Sequence, residues 1–109
     1  MNARDYEILK KISDEASIIL EMISDTHREA FLGDERTKRA VCMTLINIGE
    51  LVKMLSDECR EANKAIPWRK ISGLRDVTAH GYQTLRMEDI WETVTIAIPK
   101  LLNNLETIL

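Results

Sequence analysis

Apolar residues recur at three- and four-residue steps in four stretches of the chain, the spacing of one face of an α-helix. Leu9, Ile12, Ala16, Ile19, Leu20 and Ile23 predict a helix over residues 5–25, with Lys10, Lys11, Asp14, Glu15 and Glu21 on its wet face. Ser24-Asp25 breaks that pattern. Thr26-His27-Arg28-Glu29 then reads as a capping box, with Thr26 accepting from the backbone and Glu29 reaching back. A short helix follows through Phe31 or Leu32 and stops at Gly33. His27 falls in its first turn, with no reactive partner nearby, and reads as a surface residue. Asp34 can cap a long helix over 35–61, striped by Val41, Leu45, Ile48, Val52 and Leu55 and widened by Ala40, Met43, Leu51 and Met54. A face that wide predicts more than one neighbour, one of which can belong to another subunit. Gly49 in the middle of this helix costs roughly 1 kcal/mol relative to alanine, and a close helix crossing is the expected compensation.

Residues 62–66 form a linker ending in Ile66-Pro67, and proline suits a first helical turn because its missing N–H is not needed there. The next helix runs from Pro67-Trp68 to about His80, with Ile71, Leu74 and Thr78 on one face and Gly81 placed to end it in a left-handed conformation. The last helix covers 87–109, its apolar side built from Met87, Ile90, Trp91, Val94, Ile98, Leu101, Leu102, Leu105 and Ile108. Pro99 removes one hydrogen bond inside it and predicts a bend. No strand, repeat or low-complexity segment is visible. The expected fold is all-α: an antiparallel up-and-down bundle of four main helices plus one short helix, in a single domain over 1–109.

Composition agrees with a folded helical chain, since 45% of residues are hydrophobic, 30% are charged, and only four are Gly and two Pro. No apolar run approaches the roughly 20 residues of a membrane helix, and the N-terminus is too charged for a signal peptide, so a cytoplasmic location is expected. Cys42 and Cys59 fit that location. Placed on one long helix, they would lie roughly 25 Å apart, beyond disulfide reach, and they read as small buried apolar residues. No His or Cys sits at metal-ligand spacing, so neither a metal site nor a cofactor is expected.

The net charge of −3 argues against a nucleic-acid binder, but its distribution does not. Residues 60–86 hold 6 Lys/Arg (Arg60, Lys64, Arg69, Lys70, Arg75, Arg86) against 2 Asp/Glu (Glu61, Asp76), a net of +4. That basic third can create a local positive field for a polyanion, or it can be an ordinary solvated face. It also contains Arg75-Asp76-Val77-Thr78-Ala79-His80-Gly81-Tyr82, where a fixed cation, a proton exchanger active near neutral pH and a phenol come together.

Those residue types fit attack on an RNA phosphodiester. RNA carries its own nucleophile in the 2′-hydroxyl, so the protein need supply only a proton exchanger and a cation against the developing phosphorane charge. His80 fits the first role. Arg75 fits the second, because its planar fork matches phosphate oxygens in two-point contact. On residue types alone, a helix cap or a surface pair explains the same Arg and His. Positions five apart on a helix are also rotated by about 140°, so one copy of Arg75 and His80 shares a face poorly. A two-fold dimer that sets two such helices side by side would bring both pairs into one cleft.

Arg75, four residues, His80, one residue, Tyr82 is the Arg-x4-His-x-Tyr pattern of the HepT-like family in the HEPN (higher eukaryotes and prokaryotes nucleotide-binding) superfamily. Asp5-Tyr6, Phe31-Leu32-Gly33-Asp34, Ile48-Gly49-Glu50, Ile66-Pro67-Trp68-Arg69 and Ile90-Trp91-Glu92-Thr93-Val94 resemble that family's landmarks in the right order, so the resemblance covers nearly the whole chain. It implies an HEPN-like homodimer acting as a metal-independent endoribonuclease toxin of a type VII-like toxin–antitoxin system. The implied partner is a small nucleotidyltransferase antitoxin that silences the toxin by attaching AMP to the motif tyrosine. Carried onto this chain, Arg75 and His80 are the catalytic candidates and Tyr82 is the candidate AMPylation site. The alternative for Tyr82 is a partly buried ring covering the helix end.

Asp76, Tyr82, Arg69 and Arg86 are the supporting or RNA-binding candidates. Two positions depart from the family pattern. Asp76 stands where the family often has Asn, and an acidic group there can pair with Arg75, orient His80 or weaken attraction for RNA. Arg86 stands beside the start of the last helix, where the family usually has an acidic start and a cation is mildly unfavourable. A non-catalytic helical module that only binds a nucleotidyltransferase is the alternative reading of the same residues.

Overall fold

The structure, a computed structural model, describes residues 1–79 and 81–109. Its helices are α1 (Ala3–Ile23), α2 (Arg28–Leu32), α3 (Glu35–Lys53), α4 (Asp57–Ala62), α5 (Trp68–Ala79), α6 (Met87–Glu92) and α7 (Ile98–Ile108). A 3₁₀ turn over Tyr82–Thr84 leads into α6, and a π turn over Thr93–Ala97 joins α6 to α7 as one last long helix. Among the described residues there is no strand, and the all-α bundle stands as expected.

The layers follow from the stripes. α3 packs against α5 on one side and α1 on another, and α1 also packs against α7. Leu9, Ile12, Ala16 and Ile19 of α1 meet Val41, Leu45, Ile48 and Val52 of α3 and Leu101 and Leu105 of α7 in one core, all of them buried. α2 closes against α3 and α6, where the buried Phe31 ring lies 5.1 Å from Trp91 at a 37° tilt. The molecule measures 42 × 28 × 19 Å. Its thin dimension is about two helix diameters, so each main helix keeps a face toward water.

The caps show where local and distant signals won. Asp34 caps α3 as its sequence predicts, with Oδ1 accepting from the Thr37 N–H at 3.1 Å and Oδ2 from the Thr37 hydroxyl at 2.7 Å. At α2 the expected Thr26 cap does not form. The cap is exposed His27, whose Nδ1 accepts from the Ala30 N–H at 3.2 Å. The helix starts one residue later than the capping box places it, so the orphan donor at its third position is the Ala30 N–H, which His27 reaches.

The predicted helix over 35–61 is two helices. Arg4 Nη1 donates to the Met54 carbonyl at 2.7 Å and closes α3. Buried Asp5 accepts from the Ser56 N–H at 3.0 Å and from its hydroxyl at 2.6 Å, holding Ser56 extended. Ser56 Oγ in turn accepts from the Cys59 N–H at 3.1 Å and starts α4. Cys42 and Cys59 therefore stand on different helices, both free and both buried. Burial pushes the Cys42 thiol up to about 11 and also raises Cys59, so both act as small apolar core residues.

Pro99 does not stop the last helix. It leaves the Thr95 carbonyl without its usual donor four residues on, and the chain widens into the π turn just before it. The Thr93 and Thr95 hydroxyls donate to the Asp89 and Trp91 carbonyls, at 2.9 and 2.8 Å, through the same stretch.

Candidate active site

Pro67 has no N–H to lose, and α5 starts directly after it. Its first turn is anchored by buried Trp68, whose indole N–H donates to the Asn63 carbonyl at 3.1 Å. From there α5 runs back along α3. A Cβ on Gly49 would lie 2.5 Å from the Arg75 Cβ, 2.9 Å from its backbone nitrogen and 3.1 Å from the Ser72 carbonyl oxygen. Only glycine leaves room for α5 at this depth, and the crossing offsets the helix propensity that Gly49 gives up.

The crossing fixes Arg75 from its backbone outward. Its Nε lies against Oε1 of Glu50, the residue after Gly49, and Nη1 reaches Oδ1 of Asp76 at 3.3 Å. Asp76 Oδ1 also lies 3.2 Å from Lys53 Nζ, one turn further along α3. Two cations and two carboxylates thus alternate across the crossing, with the Arg75 side chain 36% exposed. Glu50 first, then Asp76, holds the Arg75 proton more tightly than usual. Lys53 first, then Arg75, holds the Asp76 carboxyl below its ordinary range.

Tyr82 occupies a second position on α3. Gly81 has φ +153°, a conformation that L side chains rarely adopt, though not the left-handed helical value expected there. The 3₁₀ turn that follows carries Tyr82 back to the first turn of α3. There its hydroxyl donates to Glu35 Oε1 at 3.0 Å, and the Arg39 guanidinium covers the ring at 4.4 Å. Burial and then the Glu35 carboxylate push the phenol up, while that hydrogen bond, ahead of Lys38, pulls Glu35 down. The ring is half-buried and packs on the core, with the hydroxyl engaged at its edge.

The structure thus joins Arg75 to Asp76 and sets Tyr82 apart, since their anchors on α3, Gly49 and Glu35, are about 21 Å apart along the helix. His80 lies outside the described residues. Arg69, in the first turn of α5, and Arg86, at the start of α6, are exposed, and neither has an ion-pair partner among the described residues. Arg86 provides no side-chain cap; Glu88 and Asp89 in the first turn of α6 supply the negative charge a helix start favours. Glu50, Lys53, Glu35, Lys38 and Arg39 escaped the sequence reading. One local signal was available: Glu50 follows the glycine that marks the crossing.

The family profile described as "Ribonuclease HepT-like" matches residues 12–108. A protein named provisionally as an RNase from Caldanaerobacter subterraneus subsp. tengcongensis is 36% identical over 101 residues, covering 93% of this chain and 90% of that one. A "probable ribonuclease HepT" from Thermococcus cleftensis is 32% identical over 103 residues, covering 94% and 92%. A protein of Methanocaldococcus jannaschii, also named provisionally as an RNase, is 32% identical over 104 residues, covering 95% and 83%. No solved structure matches the chain with significance. The profile takes in α3, α5 and the whole of the Arg75–Tyr82 stretch, and the chain belongs to the HepT-like family of ribonucleases.

Proposed function

We propose that this chain is a metal-independent endoribonuclease that cleaves RNA by attack of the 2′-hydroxyl on the adjacent phosphodiester. Arg75 places its guanidinium against the developing phosphorane charge, and His80 exchanges the proton. The observation that carries the reading is the anchoring of Arg75. Its backbone is fixed by the Gly49 crossing and its Nε by Glu50, while the side chain stays partly open to solvent. A cation held in this way needs no reorganisation when charge develops. Arg69 and Arg86, exposed on the basic third of the chain, extend the contact to the RNA backbone.

The same proposal includes a homodimer with the active site shared between subunits. One chain sets Arg75 and His80 five positions apart, and Met43 on α3 leaves 59% of its surface exposed. It also includes silencing by a small nucleotidyltransferase antitoxin that attaches AMP to Tyr82. A bulky anion two residues from His80 would block RNA and repel its phosphates.

The test is cleavage of RNA in EDTA by the purified chain. The expected products carry 2′,3′-cyclic phosphate ends, and Arg75→Ala and His80→Ala abolish them. Cleavage that survives both substitutions would sink the proposal. One observation favours a second reading, a non-catalytic module that binds a nucleotidyltransferase: Arg75 is already engaged by two carboxylates. Expression of the chain alone separates the two, because growth arrest that requires His80 belongs only to the enzyme.

A further inference from the structure

Tyr82 sits in a constellation that the ribonuclease reaction does not use. Its hydroxyl donates to Oε1 of Glu35 at 3.0 Å, across 47 residues of sequence. Glu35 is itself held in place: Arg39 Nε lies 3.0 Å from Oε1, and Lys38 Nζ lies 3.3 Å from Oε2. Lys38 is fixed in turn, because it also donates to the Leu32 carbonyl at 2.8 Å, and its side chain is only 15% exposed. Arg39 lies over the Tyr82 ring at 4.4 Å with its side chain 57% exposed. A hydroxyl nucleophile, a carboxylate within hydrogen-bond reach, and cations that orient that carboxylate form the arrangement that activates a weak nucleophile.

We propose that Glu35 is the proton acceptor for group transfer to Tyr82, and that Lys38 and Arg39 seat the phosphate that Tyr82 receives. The inference rests on the reading of Tyr82 as acceptor of a nucleotidyl group, and it assigns part of that reaction to the modified chain itself. In the step, Tyr82 Oη forms a bond to the α-phosphorus of a nucleoside triphosphate. The bond from that phosphorus to the β-phosphate oxygen breaks, and pyrophosphate leaves with the electron pair. The phenolic proton passes to the Glu35 carboxylate. Protonated Glu35 no longer competes for Lys38 and Arg39, which are then free to pair with the new phosphodiester anion. A partner enzyme binds and aligns the triphosphate, while the base stands ready on α3.

The test needs no second protein. N-acetylimidazole transfers acetyl to phenols with loss of imidazole, and peptide mass analysis reads Tyr82 and the exposed Tyr6 in one sample. A phenol that reacts only as phenolate slows about tenfold for each pH unit below its pKa, whereas one with a carboxylate base at hand stays level. Between about pH 6 and about pH 8, where carboxylates are ionised and phenols are not, the rate at Tyr82 is expected to stay level and that at Tyr6 to fall. Glu35→Gln is expected to restore the steep profile at Tyr82 and leave Tyr6 unchanged. A steep Tyr82 profile in the unmodified sequence overturns the proposal without any variant, so misfolding of Glu35→Gln cannot shelter it. A level profile kept by a folded Glu35→Gln overturns it as well. The nucleotidyl reading is decided separately, by intact mass after co-expression with the nucleotidyltransferase. A nucleotidylated Tyr82 with a steep acetylation profile overturns Glu35 alone.

Discussion

The Cβ of Arg75 lies where a side chain on residue 49 would have to go, 2.5 Å from a Cβ built on Gly49. Gly49→Ala sets two effects against each other. Alanine improves helix propensity by about 1 kcal/mol, while crowding against a backbone nitrogen costs on the order of 1–3 kcal/mol. The balance is a net loss of up to about 2 kcal/mol, so the melting temperature is expected to fall by several degrees. Relief of the clash, however, pushes α5 and Arg75 outward by about 1 Å, a misplacement that can cost roughly 100-fold in rate. RNA cleavage is therefore expected to fall about 100-fold at temperatures where the variant is still fully folded. Cleavage that keeps the wild-type rate in the folded variant would mean that Gly49 serves folding alone.

The helices were legible because their signals are local. The stripes of α1, α3 and the last helix, the Asp34 cap and the tight crossing at Gly49 all follow from residue spacing within a few turns. The break in the 35–61 stretch was not legible. Ser56 is held by Asp5, 51 residues away, and nothing in the apolar stripe reports a distant carboxylate. The site divides in the same way. Arg75 and Asp76 are neighbours in sequence and were found together, whereas Lys53 reaches Asp76 across 23 residues and Glu35 reaches Tyr82 across 47. Such pairs are set by how far α5 slides along α3, a quantity that periodicity leaves open. Arg75-x4-His80-x-Tyr82 gave the reactive groups, but their supports became visible only once α3 was in place.

Asp5 makes a pH-dependent link between α1 and α4. The Ser56 hydroxyl, then the Ser56 N–H, holds its carboxyl below the ordinary value of 3.8. Its folded pKa lies below its unfolded one, so its contribution is fully present above the unfolded value and is lost as pH falls through the folded value. Asp34, Glu35 and Asp76 are lowered too and share the acid limb, so the variant isolates Asp5. Asp5→Asn is expected to melt at a lower temperature than wild type at neutral pH, with the gap closing below about pH 3.8. Melting curves from neutral pH downward check this. A gap that stays constant with pH would assign the loss to packing.

Exposed Arg69 and Arg86 differ from Arg75 in having no carboxylate against them among the described residues. Their contact with RNA should therefore be a plain exchange of counterions. For single-stranded RNA each phosphate contact contributes about 0.7 to the slope of log affinity against log salt. Arg69→Ala and Arg86→Ala should each lower the slope by about that amount, with cleavage at saturating RNA unchanged. Binding of a non-cleaved 2′-deoxy analogue across a salt series measures it. Unchanged slopes would remove both residues from the RNA path.

Glu50 separates the two effects that meet at Arg75. It lies against Nε and so aims the rest of the guanidinium, yet it also sets a negative charge on the proposed path of the RNA phosphates. Glu50→Gln keeps the shape and removes the charge. RNA should then bind more tightly, because one repulsive carboxylate is gone. Cleavage at saturation should fall, because an amide oxygen holds a guanidinium less firmly than a carboxylate does. The expected signature is a lower KM together with a kcat reduced on the order of tenfold, about 1.4 kcal/mol of lost positioning. Arg75→Lys distinguishes aim from charge. Lysine keeps the cation but loses the fork, so kcat should drop while the salt slope of RNA binding stays at its wild-type value. A Glu50→Gln chain with unchanged kcat would show that the Gly49 crossing alone is enough to position Arg75.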